Sequence, residues 1–242
     1  DEMEIIADGF NKMVERLQDY INQVYIAQIC QKDAELNALK MQIQPHYLYN
    51  TLDVIRMTAL SENDEKTAEL LECLAHQLRY VMGEHTERIK LRDELQMLRE
   101  YFVIMKVRYE GRIQLNIQVS DEDSELYILK MLLQPVVENA IKHGKDLSQL
   151  VIKIYAGITI NADGEVYANI RIANTGHFDD NALTQLNDES PETVMYKKER
   201  VGISNVRYRM WLIYGEHFSL TFKNKDNDAI VQLQFPEHFS GC

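Results

Sequence analysis

No run of apolar residues in this chain approaches the roughly 20 needed to cross a bilayer, and no signal-peptide pattern is visible. Basic residues are the minority, 26 Lys and Arg against 38 Asp and Glu for a net charge of -12, which argues against a nucleic-acid partner. Cysteine is scarce. Cys30, Cys73 and Cys242 are scattered with no C-x-x-C spacing, so a reducing, cytoplasmic setting is the natural expectation. There is no internal repeat and no low-complexity segment. What remains is a chain of 242 residues with 45% hydrophobic content, enough for two modest cores. It opens at Asp1 without a methionine and enters a helical pattern almost at once, as a fragment of something longer would.

That pattern is long. Apolar or small residues recur at alternating three- and four-residue steps through Phe10, Met13, Leu17, Tyr20, Val24, Ala27, Gln31, Ala34, Ala38, Met41, Pro45, Leu48, Leu52, Ile55 and Ala59. A period near 3.5 over so many turns predicts a coiled-coil or bundle seam. Within it, Gln42 to Leu52 places His46 directly after Pro45. Pro45 takes a seam position and His46 the next one round, on the flank, where an imidazole stays accessible. Proline cannot donate a backbone bond to the carbonyl of Met41, so a kink or weak point is expected there. Asn50 lies one turn beyond His46 on the same face and can orient the ring or meet an incoming phosphoryl group.

Changes of period divide the rest. Ser61-Glu62-Asn63-Asp64 reads as a turn and helix start, followed by Leu71, Leu74, Leu78 and Val81 on one face. Two such antiparallel helices leave a seam exposed, so a homodimeric four-helix bundle is the simplest solution. A third helix carries Leu91, Leu95, Leu98, Phe102 and Met105 in phase. From about Ile113 strands and helices mix: alternation at Leu115, Ile117 and Val119, an apolar helix from Ile128 to Lys142, and strands Val151 to Ile160 and Val166 to Ala173. A hairpin sets Phe218, Leu220 and Phe222 opposite Val231, Leu233 and Phe235. The predicted class is α plus α+β: a helical hairpin forming a dimeric bundle, then an α/β sandwich with one mixed sheet under helices.

Three constellations in the second half carry possible chemistry. On the helix through Leu133 to Gly144, helical spacing turns Leu129, Leu133, Val136 and Ala140 inward and leaves Glu138, Asn139, Lys142 and His143 on the other side. An amide oxygen suits Mg²⁺, while Lys and His suit phosphate oxygens, although an ordinary polar helix face reads much the same. Ala173-Asn174-Thr175-Gly176 ends a strand, where the Asn174 amide can accept from a purine amino group and Gly176 permits close approach; such turns are also common on their own. Gly202 precedes an amphipathic helix with Asn205 in its first turn, an arrangement whose free amides can meet phosphate. Between these, His177 to Glu199 reads as a polar acidic loop, either a nucleotide lid or merely solvated.

Taken together, these segments resemble the sensor histidine kinases of the LytS/YesM-like branch. The resemblance runs in order through Gln42 to Leu52, Leu78-Arg79-Tyr80, Leu91-Arg92-Asp93-Glu94-Leu95 with Tyr101 and Arg108, Leu133 to Gly144, Gly202-Ile203-Ser204-Asn205-Val206 and Tyr214-Gly215. Asp1-Glu2-Met3 with Phe10-Asn11-Lys12-Met13 is similar to the second helix of a HAMP signalling module. The resemblance implies residues 1-25 as the end of HAMP and a signalling helix, 26-90 as a dimerisation and phosphotransfer hairpin, 91-112 as a connecting helix, and 113-242 as an ATP-binding domain of the GHKL/Bergerat type. It also implies the cytoplasmic part of a cell-membrane sensor whose spanning segment lies upstream.

The same resemblance implies ATP-dependent phosphorylation of His46, with Asn50 and Glu138 assisting, and transfer to an aspartate of a response regulator. Asn139 would hold Mg²⁺ on ATP, Lys142 and His143 would lie near the phosphates, Asn174 and Gly176 would read adenine, and Gly202 and Asn205 would meet the phosphate tail. The sequence departs from the family where Asn174 replaces an acidic residue, where Phe178 replaces a glycine, and near Arg200 where another glycine is usual. A neutral amide lacks the charge-assisted strength of a carboxylate, so reduced nucleotide affinity is expected. Two other readings stay open at this point: a degenerate, weakly active member serving as a dimeric scaffold, and a coiled-coil adaptor joined to an unrelated α+β domain.

Overall fold

A computed structural model of the chain describes residues 45–83, 87–144, 148–160, 164–189 and 202–237. The expected seam from Phe10 to Met41, the HAMP-like segment, the Met41 carbonyl opposite Pro45, and Arg200 lie outside the described residues. The chain divides into two compact units, Asp1–Val54 and Ile55–Cys242. The boundary falls within helix α1, Pro45–Ser61.

In the first unit Leu48 and Leu52, the expected seam positions, are half-buried, while His46, Tyr47 and Asn50 are exposed. In the second, Ile55, Met57 and Leu60 at the end of α1 are exposed apolar residues. The turn at Ser61–Asp64 is found: Asn63 takes a left-handed φ of 60°, and the Asp64 carboxylate caps helix α2, Glu65–Met82, by accepting from the Thr67 amide at 3.0 Å. On α2 the sequence sets Leu71, Leu74, Leu78 and Val81 on one face, a seam that a lone hairpin leaves open to a partner. Ala68 and Cys73 are buried, whereas Leu74 and Val81 are 44% and 51% exposed. That face is thus only partly covered within a single chain, with Leu71 and Leu78 half-buried, while Tyr80 reaches Glu94 of helix α3, Leu91–Arg108.

Helix α3 follows the predicted phase. Leu91, Leu95, Leu98 and Phe102 are buried and Met105 packs at the edge, all in one cluster with the residues of the following sheet. That sheet has five strands: β2 Ile113–Gln118, β4 Leu150–Ile160, β5 Val166–Thr175, β6 Ser219–Lys225 and β7 Asp228–Pro236, in the order β2-β4-β5-β7-β6. β2 runs parallel to β4, and every other pairing is antiparallel. Leu220 stands opposite Leu233 and Phe222 opposite Val231, as the hairpin pattern predicts. Alternation buries Ile152, Ile154, Ala168, Ile170, Ile172, Leu233 and Phe235 on one face. On the other, Arg171 lies over the Tyr155 ring and Lys153 pairs with Asp228 at 2.8 Å, the polar side of a one-faced sheet.

The apolar helix predicted from Ile128 is shorter than expected. Tyr127–Leu129 is instead strand β3, paired antiparallel with β1, Arg88–Lys90, and helix α4 runs only over Gln134–Gly144. A short apolar run reads the same as strand or buried helix, and here the strand wins because β1 supplies a partner. Between them Met131 adopts φ 58°, a conformation costing about 1–3 kcal/mol for a residue with a side chain and so one that its neighbours must enforce. The polar loop after His177 contains another helix, α5, Asp180–Asp188, capped by Asp179 on the Ala182 amide at 2.8 Å. Leu183 and Leu186 dock it on the core.

Burial sets the behaviour of three phenols. It raises Tyr80 and Tyr214 above the ordinary value of 10.0, reinforced at Tyr80 by the Glu94 carboxylate, and it pushes Tyr101 up to about 12, with Glu138 adding to it. The folded chain therefore keeps these protons after the unfolded chain has released them. Stability that is complete below pH about 10 is expected to fall as pH rises toward 12. Absorbance titration of phenolate beside denaturant midpoints tests this; phenols that all titrate near pH 10, with flat stability, contradict it.

Candidate functional site

Two adjoining cavities, of about 340 and 170 Å³, open between α4, the β5 end, α5 and helix α6, Ile203–Tyr214. They share Asn139, His143, His177 and Phe178 in their walls. The larger falls within the roughly 300–1,000 Å³ typical of small-molecule sites.

Helix α4 builds one wall. Val136, Val137, Ala140 and Ile141 anchor it in the core, so the 3.6-residue period turns Asn139 and His143 to the cavities. Neither side chain has a protein hydrogen-bond partner among the described residues. Glu138 is exposed and takes a 2.9 Å bond from Gln134, and Lys142 is exposed; neither lines a cavity.

The end of β5 builds the facing wall of the smaller cavity, with Asn174, Thr175 and Gly176. Asn174 is 8% exposed, and its Nδ2 donates to the Thr175 carbonyl at 3.0 Å, which leaves Oδ1 to accept from elsewhere. Gly176 has φ 117°, a conformation that a side chain would strain. Phe178 fills its own place firmly. Asn224 clasps its backbone with two 2.9 Å bonds, and its ring meets Phe222 edge-on at 5.9 Å.

Helix α6 begins at Gly202, φ 65°. Gly202 and Asn205 do not line either cavity, but Ser204 does. Its hydroxyl donates to Glu189 at 3.1 Å, and Glu189 lies 3.8 Å from buried Arg207. Arg207 also donates to the Leu186 carbonyl, so one polar cluster ties the end of α5 to the start of α6 beside the larger cavity. Burial lowers the guanidinium's proton affinity and Glu189 opposes that shift.

His46 and Asn50 lie on α1, in the first unit. The structure brings them together as predicted, with Asn50 Nδ2 3.2 Å from His46 Nδ1 and both side chains exposed. Sequence reasoning brought Asn139, His143, Asn174 and Gly176 to the cavities; it gave no individual role to His177, Asp179, Gln185 and Glu189, which it read only as part of a lid or solvated loop, to Phe178, marked as a departure from the family, or to Ser204, noted within the Gly202–Val206 stretch. A signal for α5 did exist: Asp179 before Leu183 and Leu186 is a cap preceding helical spacing. Glu189 and Ser204 had none, because their pairing spans a long connection.

Comparison with known proteins bears on this arrangement. Residues 34–113 match the family described as Histidine kinase, a span that contains His46 and Asn50. The chain is 27% identical over 231 residues to "Sensor protein kinase HptS" of Staphylococcus aureus (strain USA300), covering 95% of this chain and 43% of that protein. It thus spans less than half the length of the curated relatives it matches. Among solved structures, the catalytic domain of histidine kinase ThkA aligns at 14% identity and a TM-score of 0.44, over 62% of this chain and 94% of that one. ThkA in complex with response regulator protein TrrA aligns at 16% identity and a TM-score of 0.44, over 86% and 61%. By its family match and its sequence relatives, the chain is related to the sensor histidine kinases.

Proposed function

We propose that this chain uses ATP to phosphorylate itself on His46 and passes the phosphoryl group to an aspartate of a response regulator, within the LytS/YesM-like branch. The observation that carries this is the pair of side chains Asn139 and His143, without a hydrogen-bond partner among the described residues, which line two adjoining cavities, the smaller of them walled by the Asn174–Gly176 turn, in a chain whose family match contains an exposed His46.

ATP fits the groups present. Asn174 Oδ1 accepts from the adenine amino group, Gly176 admits the base, and His143 lies toward the phosphates. Lys142, Glu138, Gly202 and Asn205 lie outside the cavity walls and serve, in this reading, once nucleotide is bound. The Asn139 amide suits Mg²⁺, which would supply charge neutralisation on the phosphates. Residues 113-242 thus form the ATP-binding domain and 26-90 the phosphotransfer hairpin. The exposed Ile55, Met57, Leu74 and Val81 support its pairing with a second copy. HptS, as a sensor, supports placement as the cytoplasmic part of a membrane protein; no helix among the described residues is long and apolar enough to span a membrane.

A neutral imidazole nitrogen attacks the γ-phosphorus in line, an N–P bond forms, and the bond to the β-phosphate oxygen breaks to release ADP. Asn50 decides which nitrogen attacks. With its carbonyl oxygen accepting from Nδ1–H, the lone pair stays on Nε2; with its NH₂ toward Nδ1, the proton sits on Nε2 instead. The structure holds the second arrangement, with Asn50 Nδ2 toward Nδ1, so attack from Nε2 calls for the amide to turn over and accept from Nδ1–H. Incubation with γ-labelled ATP and Mg²⁺ is expected to give label that acid removes and alkali does not. Absence of label in a dimer that binds ATP returns the scaffold reading.

A further inference from the structure

We propose that Tyr80 and Glu94 are positioning residues that tie helix α2 to the wall of the ATP cavity and so set the placement of Asn139; this rests on the ATP-site reading above. Neither residue lines the cavities, and the resemblance to known kinases leaves both without a role.

Glu94 is 1% exposed on α3. No cation pairs with it among the described residues. Its carboxylate is held by hydrogen-bond donors: the Tyr80 hydroxyl of α2, the Met131 amide at 3.0 Å and the Leu133 amide at 3.1 Å. A buried carboxyl without a counter-charge is kept in place only where hydrogen-bond partners surround it, so loss of any one loosens the others. Two of these donors belong to the loop that launches α4.

The same loop is gripped from its other side. Arg209 of α6 donates to the Lys130 carbonyl at 2.7 Å and the Met131 carbonyl at 3.4 Å. Met131 keeps its left-handed conformation between these two holds. Helix α4 then carries Asn139 and His143 as one rigid piece, and α6 carries Ser204. A single loop thus sets both cavity-lining helices, and Glu94 sets the loop. From α2, the Tyr80 hydroxyl is the group that reaches Glu94, with Lys130 Nζ over the Tyr80 ring at 4.8 Å. A shift of α2 along α3 would withdraw that hydroxyl and release the start of α4.

Tyr80→Phe in the whole chain tests the tie, since it removes one oxygen and keeps the ring. His76→Gln is the control, because His76 joins α2 to Glu100 of α3 without touching the loop. Hydrogen exchange without nucleotide is expected to quicken about tenfold over 131–137 in Tyr80→Phe, the scale of one lost bond to a charged acceptor, and to stay unchanged over 168–173 of β5. The ATP concentration for half-maximal labelling rises in step, while the thermal midpoint moves little. Glu94→Gln, which keeps the shape and loses the charge, moves exchange in the same direction. Unchanged exchange over 131–137 in Tyr80→Phe, or equal quickening in His76→Gln, overturns the tie. Faster exchange with an unchanged ATP requirement overturns its role in positioning Asn139. If the wild type binds ATP but does not label, the kinase reading fails alone, and calorimetric ATP affinity of Tyr80→Phe decides the coupling; a wild type that binds no ATP overturns both.

Discussion

His46→Gln is expected to abolish the acid-labile, alkali-stable label completely. Glutamine keeps the length and polarity of the side chain on an exposed helix face, so α1 should form as before, but its amide nitrogen carries no free lone pair to attack phosphorus. The chain has 7 histidines, and two others, His143 and His177, stand in the cavity walls themselves. They are the sharpest competitors. Label retained after His46→Gln and lost only after His143→Gln would move the acceptor into the cavity and end the reading of His46. Label lost in His46→Gln while ATP affinity stays at the wild-type value isolates the acceptor from the binding site.

Asn139→Ala is expected to reduce labelling by at least about 100-fold while leaving the fold and the oligomeric state as in the wild type. Removal of groups that only support a metal ligand costs about 10–100-fold, so loss of a direct one should reach or exceed that range. Structural collapse is not the expected cause, for two reasons. The side chain has no protein partner to lose among the described residues, and alanine is a better helix former than asparagine in the middle of α4. Titrating Mg²⁺ against labelling rate, beside sedimentation and thermal unfolding, separates the effects. A variant that labels at the wild-type rate removes Asn139 from the metal site; one that unfolds or dissociates assigns it to the structure.

Both predictions rest on positions the chain announced through spacing alone. Asn139 and His143 are four residues apart on a helix whose opposite side carries the buried Val137 and Ile141, and that arithmetic survives folding because the helical period is local. The hairpin of β6 and β7 and the Ser61–Asp64 turn were legible for the same reason. What packs on α2 within a single chain was not. Periodicity shows that Leu71, Leu74, Leu78 and Val81 share a side, but which neighbour covers it is a tertiary fact, and within one chain Leu71 and Leu78 are only half-buried while Tyr80 reaches Glu94 of α3.

The start of α4 shows where local rules end. Ile128 to Leu133 is an apolar run that suits strand or helix equally, and the choice came from Arg88–Lys90 lying alongside as a partner strand. Glu94 looked like any acid in the first turn of a helix; its burial under two amides 37 and 39 residues away exists only once the loop is folded over it. Glu189 and Ser204, 15 residues apart, meet only after α5 and α6 have docked. Elements, turns, the exposed His46 and the amide-bearing face of α4 are thus written in short-range period and turn chemistry. The walls of the cavity and the hold on its loop were settled by tertiary packing, because hydrogen bonds between distant segments leave no periodic trace in either one.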